Sequence, residues 1–124
     1  MIEFFKITQD LVNALKTVLP NIFPSLAPQG TSLPFATYTR TGATPGESKD
    51  GSYELDTNYT INVITSDYQS GLQYVDAIRQ ALQTINSNHY RYECTLIGAS
   101  EQAYDDGWTQ TLTISINTTL KQRY

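Results

Sequence analysis

The sequence has very few of the residues that most often perform chemistry or form cross-links. Its 124 residues include one cysteine, Cys94, and one histidine, His89. A single cysteine excludes an internal disulfide and, with a single histidine, leaves no Cys/His cluster to bind a metal. Such cysteine usage is typical of a reducing compartment. The scarcity of cysteine and histidine favours a role in assembly or recognition over catalysis or metal binding.

Charge is also sparse. Charged residues make up 16% of the chain, the formal net charge is −4 and the pI is near 4.7. Binding to a phosphate backbone is driven by clustered cations that release counterions, and here the few cations are scattered. The sequence also lacks a secretory signal and any stretch of roughly 20 apolar residues that could cross a bilayer. We therefore expect a soluble, cytosolic protein, without a linker or repeat, as a single domain over residues 1–124.

The clearest pattern is a strand followed by a helix. From residue 53 to 65 apolar and polar residues alternate, which is the period of a strand with one buried face. Ser66 or Asp67 can then cap a helix, with Gln69 placed as in a capping box. Apolar residues next recur three or four apart, which predicts one apolar helical face formed by Leu72, Val75, Ile78, Leu82 and Ile85.

The other elements follow from the same two periods. The pattern predicts a helix at 2–19, an irregular proline-rich connector at 20–34, a strand at 35–41, a mobile loop at 42–52, a strand at 90–96, an acidic turn at 100–107 and a last strand at 108–120. The order helix, strand, strand, helix, strand, strand predicts an α+β domain. We expect a largely antiparallel four-stranded sheet with both helices packed on one face.

Candidate catalytic residues are few. His89 lies in a helix-to-strand turn and reads as an exposed turn residue, and Cys94 alternates with tyrosines and reads as a small buried hydrophobe. Glu101, Asp105 and Asp106 are the only dense carboxylates. They could form an acid and base pair of a hydrolase or, with the tyrosines, a carbohydrate-binding site, but an acidic solvated turn is the simpler interpretation. The sequence predicts no cofactor and no metal.

Several local patterns together resemble one family. They are the apolar run 15–19 before Pro20, Ala-Pro-Gln-Gly at 27–30, Leu-Pro-Phe-Ala-Thr-Tyr at 33–38, Tyr-Thr-Ile-Asn-Val at 59–63, the acidic helix start at Asp67, the helix through Ala77, Ile78 and Leu82, and Ser-Glu-Gln-Ala-Tyr-Asp at 100–105. In this order they resemble the small tail-completion, or tail-terminator, proteins of long-tailed bacteriophages and prophages. The resemblance spans nearly the whole chain, although none of its motifs is a catalytic signature.

The resemblance implies a non-enzymatic structural protein that assembles as a ring, often of six copies, on the finished tail tube. It would form in the host cytoplasm and lie at the junction of tail and head, contacting other copies, the tail tube protein and the head connector or neck proteins. DNA would pass through without specific binding, and no membrane is involved. A neighbouring neck component that binds the portal or adaptor ring remains an alternative that the sequence does not separate.

Under this hypothesis two groups of residues become candidate sites. The loop after the first strand would contact the tube or a neighbour, and its candidate residues are Thr44, Pro45, Gly46, Glu47, Ser48, Lys49 and Asp50. A ring lumen that does not bind the phosphates of the passing DNA would be acidic. Its candidates are Glu101, Asp105 and Asp106, together with two acids of the loop.

Overall fold

The computed structural model describes residues 2–45 and 53–121. Over these ranges the chain forms two helices and one five-stranded sheet. The elements are α1 (Phe4–Lys16), β1 (Ile22–Pro24), β2 (Phe35–Pro45), β3 (Glu54–Thr65), α2 (Tyr68–Leu82), β4 (Tyr90–Tyr104) and β5 (Gly107–Leu120). The predicted α+β class is confirmed, and the predicted four-stranded sheet is corrected to five strands.

The strands lie in the order β1-β2-β3-β5-β4. β1 runs parallel to β2, and the three other pairs are antiparallel, so the sheet is mixed. β5, the last of the described strands, lies between β3 and β4 and pairs with both. β3 and β4 therefore run in the same direction without touching, and β4 and β1 are the two edges.

The period-two pattern of β3 and β5 gives the sheet one buried face. Tyr59, Ile61 and Val63 of β3 are fully buried, and the first two lie opposite Ile114 and Leu112 of β5. The intervening residues are mostly Thr, Asn and Ser, with Glu54, Asp56 and Ile64 among them, and they form what we call the open face of the sheet, on the side away from the helices. Polar β-branched residues suit such a half-exposed surface.

Both helices pack on the buried face, as predicted. Ile7, Leu11 and Leu15 of α1 and Ile78 and Leu82 of α2 belong to the same hydrophobic core as the central strands. Each such side chain contributes roughly 1.5–3 kcal/mol through removal from water. α2 lies over β3 and β5, whereas α1 packs beside α2 and reaches β1.

The start of α2 shows which of the two predicted N-caps is used, and it corrects the predicted capping box. Asp67 is the N-cap, and its carboxylate accepts a hydrogen bond from the Ser70 backbone N–H at 3.0 Å. The third helical residue is thus Ser70, so Gln69 does not form the predicted capping box. The helix ends at Leu82, which places Ile85 outside it. Leu72 was predicted on the buried face but is 38% exposed, because Gly71 packs closest to the sheet.

Three strand boundaries also differ from the predictions. β1 lies within the predicted irregular connector, where its pairing with β2 outweighs the proline content. β2 continues through a register shift near Gly42 to Pro45 because β3 pairs with it that far, so residues 42–45 of the predicted loop are strand, and residues 46–52 lie outside the described residues. β4 runs to Tyr104 instead of ending at 96, because β5 pairs with its whole length, and only Asp105 and Asp106 remain of the predicted acidic turn.

Candidate assembly surface

β4 is a long strand at one edge of the sheet. Within the part of the chain that the structure describes, β4 pairs with β5 alone. Its outer main-chain groups, from Thr95 to Tyr104, therefore have no neighbouring strand; this segment is called the β4 edge below. Such a row of donors and acceptors is a ready template for another chain.

The side chains of the β4 edge are unusually apolar for an exposed strand. Leu96 is 40% exposed, Ile97 58% and Tyr104 54%. Proteins usually protect an exposed edge with Lys, Pro or a short strand, and the β4 edge contains neither Lys, Arg nor Pro. The opposite edge strand, β1, is three residues long and ends in Pro24. The register shift between Leu96 and Gly98 is the one feature that interrupts the β4 edge.

The start of α2 is tied to this edge. The Tyr68 hydroxyl donates a hydrogen bond to Oε1 of Glu101 at 3.2 Å, and the nearby carboxylate raises the pKa of that phenol. The Tyr68 ring also packs on Trp108, with 4.8 Å between ring centroids. Leu72 lies one helical turn after Tyr68 and so projects on the same side of α2. Its exposed side chain extends the apolar surface beside β4.

A second apolar surface lies on α1. Phe5 is 76% exposed and Phe4 43%, and the Arg40 guanidinium lies 4.1 Å from the centre of the Phe4 ring. Along this side of α1 runs a groove of about 380 Å³, which we call the α1–β2 groove. It is lined by Phe5, Thr8, Gln9, Val12, Asn13, Lys16 and Tyr38.

A larger groove, of about 580 Å³, crosses the open face. The segment 25–31 forms one wall, and the strands supply a floor of hydroxyl and amide groups, including an Asn62–Thr111 hydrogen bond of 2.7 Å. Glu101 is the one carboxylate residue among its lining residues, but its carboxylate lies on the helix-covered face, where it accepts the Tyr68 hydrogen bond, and Asp105 and Asp106 do not line the groove. The groove thus does not bring together the carboxylate pair that the hydrolase hypothesis needs.

The predicted site residues are placed as follows. Thr44 and Pro45 end β2 and are exposed, whereas the other candidate loop residues, from Gly46 to Asp50, lie outside the described residues. Glu101 lies in β4, and Asp105 and Asp106 form the exposed turn to β5. Among the residues that the structure describes, no group of three His, Cys, Asp or Glu is placed to hold a metal ion.

Two other predictions concern His89 and Cys94. His89 is an exposed residue in the bend before β4, as predicted. Cys94 is half-buried in β4, and burial raises the pKa of its thiol to about 11. A thiol with a raised pKa is a poor nucleophile at neutral pH, which agrees with a packing role. None of the described helices is long and apolar enough to span a membrane.

Neither apolar surface was predicted from the sequence. The third strand was predicted to end at 96 because alternation fails at the register shift near Gly98, and the predicted helix at 2–19 did not indicate that Phe5 is exposed. The available signal was the length of β5, since a strand of fourteen residues can pair with a partner equally long.

Comparisons with known proteins agree with this architecture. One chain of the virion of a native gene transfer agent particle has a similar structure, with a TM-score of 0.50, 14% sequence identity and coverage of 91% of both chains. At that identity the similarity establishes the fold alone. No curated protein sequence gives a significant match.

The family comparison is decisive. The model of the tail completion protein gp17 family matches residues 7–91, which is more than half of the 124 residues. The matched region runs from α1 through both helices to the first residues of β4. The chain therefore belongs to the tail completion protein gp17 family and is a structural protein of a phage tail.

Proposed function

We propose that the protein caps the finished tail tube as a ring of copies, ends tail elongation and forms part of the interface that joins tail to head. The observation that supports this most is the β4 edge, a long strand segment with exposed apolar side chains and, within the described chain, no neighbouring strand on its outer side. Membership of a tail completion family supports the place of action. The partners would be other copies, the tail tube protein and the neck proteins.

The direct test compares tails made with and without this protein. Without it, we expect tubes of uncontrolled length and unjoined heads, and purified protein added back should restore joining. Electron microscopy of negatively stained particles measures both tube length and the fraction of joined heads. Tails of normal length that join heads in its absence would contradict the proposal. Normal tube lengths with unjoined heads would instead favour a neck component that binds the portal or adaptor ring.

We further propose that the segment from Thr44 to Asp50 contacts the tube or a neighbouring copy. Deleting residues 44–49 should leave the domain folded and abolish joining. Because Thr44 and Pro45 still pair with β3, a matched variant should replace only residues 46–50 by a Gly-Ser stretch of equal length. Thermal unfolding checks the fold, and head joining in the add-back assay checks the role. Full joining by both variants would remove this segment from the interface.

A further inference from the structure

We propose that copies of this chain associate head to tail, with the β4 edge of one copy docked in the α1–β2 groove of the next. This contact rests on the proposed ring and names the two surfaces that would build it. The match to the family model ends at residue 91, before the β4 edge begins. The β4 edge is therefore a feature of this chain that lies outside the matched region.

The first step is the position of the two surfaces. β4 is one edge of the sheet, whereas β2 and β1 form the other side, so the two surfaces are at opposite ends of the sheet. They also share the helix-covered face. Leu96 pairs with Ile114 and Tyr38 pairs with Ile61, and both partners are buried beneath the helices. Two different surfaces toward opposite edges of the sheet are what a heterologous, ring-closing contact requires.

The second step is shape and polarity. Phe5, Val12 and Tyr38 give the α1–β2 groove apolar walls, and its volume of about 380 Å³ can receive side chains as large as leucine or isoleucine. Leu96 and Ile97 are exposed side chains of that size, and they lie at the register shift where β4 departs from a regular strand. Docking the β4 edge in the α1–β2 groove would remove exposed apolar side chains of both surfaces from water.

The third step is charge, and it selects between two arrangements. β4 and its turn carry Glu93, Glu101, Asp105 and Asp106 against one cation, Arg91. Pairing of β4 with β4 of a second copy would bring acidic surface against acidic surface, which is unfavourable. The α1–β2 groove instead ends at Lys16, in the last turn of α1. Head-to-tail docking thus places Glu101 of one copy near Lys16 of the next.

A charge exchange tests this arrangement. Glu101→Lys alone and Lys16→Glu alone should each weaken self-association about tenfold or more, because each makes the contact like-charged. A mixture of the two variants should recover association, since a ring of alternating variants contains only opposite-charge contacts. Sedimentation velocity over a wide concentration range measures the assembly, and circular dichroism confirms that each variant is folded.

Glu93→Lys is the matched control. It makes the same charge change on the same strand, but Glu93 pairs with Asn117 and lies on the open face. It should associate as the unmodified chain does. Self-association of Glu101→Gln should stay within a few fold of that of the unmodified chain, since this variant retains an acceptor for Tyr68 and introduces no cation.

Each other outcome overturns the proposal. Normal association of Lys16→Glu, with loss only in Glu101→Lys, would remove Lys16 from the contact. Failure of the mixture to recover, or an equal loss in Glu93→Lys, would remove Lys16 and Glu101 from the contact. An unmodified chain that stays monomeric up to its solubility limit would also overturn it. That last result leaves the capping function intact if add-back still restores joining, so the two proposals fail separately.

Discussion

At the scale of single residues, two glycines illustrate how closely α2 and the sheet approach. A Cβ on Gly71 would lie 3.0 Å from Oγ1 of Thr65, and one on Gly107 would overlap the Thr65 carbonyl oxygen. Thr65 ends β3 and hydrogen-bonds the Asp67 carbonyl just before α2, so both glycines border the turn from strand to helix. Small residues there allow the helix to start directly over the sheet.

Gly107→Ala should therefore destabilise the fold by about 2 kcal/mol or more, because backbone atoms on both sides must move. Gly98→Ala is the matched control in the neighbouring strand, since a Cβ there meets no atom within 4 Å. We expect the control to change stability by less than about 1 kcal/mol. Urea unfolding followed by tryptophan fluorescence measures both. Equal stability of the two variants would contradict the close approach at Gly107.

The Cys94 thiol makes the stability of the fold depend on pH in a way that can be tested. Its pKa is raised by burial from 9.0 to about 11, so the fold favours the neutral thiol. The stability that this contributes is complete below pH 9 and is lost as the pH rises from 9 through about 11. Burial also raises the pKa of the Tyr59 and Tyr92 phenols, which adds a loss in the same direction at still higher pH.

We thus expect Cys94→Ala to lose less stability than the unmodified chain between about pH 8 and about pH 10, by about 1 kcal/mol after allowance for partial exposure. Urea unfolding at the two pH values gives the difference, and any cavity cost of alanine cancels because it is present at both. An equal loss of stability between the two pH values in both proteins would show that Cys94 does not titrate in this way.

At the scale of elements, the sequence pattern correctly predicted the helices and strands whose formation depends on their own residues. The helix α1 and the strands β3 and β5 were correctly predicted because each has a continuous period of its own. β1 and the second half of β4 were missed because only pairing with a distant segment makes them strands. The same holds for the exposed surfaces, since which apolar residue remains uncovered depends on where the helices lie.

The start of α2 can be tested at this scale. The carboxylate of Asp67 accepts the Ser70 N–H, and this hydrogen bond lowers the pKa of Asp67. Its contribution is present above the unfolded pKa and is lost as pH falls through the lower folded value. Asp67→Ala should lower the melting temperature by a few degrees at neutral pH and by less in acid. Ser66→Ala, the rejected cap, should have little effect; an equal effect would mean that the cap is shared.

At the scale of the whole molecule, the proposed ring gives the acidic turn a role. Asp105 and Asp106 form the exposed tip of the β4–β5 hairpin, and we propose that this tip faces the central channel of the ring. We predict that reversing both to Lys slows DNA exit, because a cationic lumen would bind phosphate. DNA release from joined particles measures the rate, with Glu93→Lys as a charge control away from the tip. Unchanged release would count against this position.

The place of β5 also sets the order of events during synthesis. Among the described strands β5 is synthesised last, yet it lies between β3 and β4 and pairs with both. Until it has been made, β4 has no strand to join, and the central part of the sheet is missing. The sheet must therefore complete its folding after β5 has been translated. A chain that still lacks β5 consequently cannot present the finished β4 edge, so copies become competent to associate only once β5 is in place.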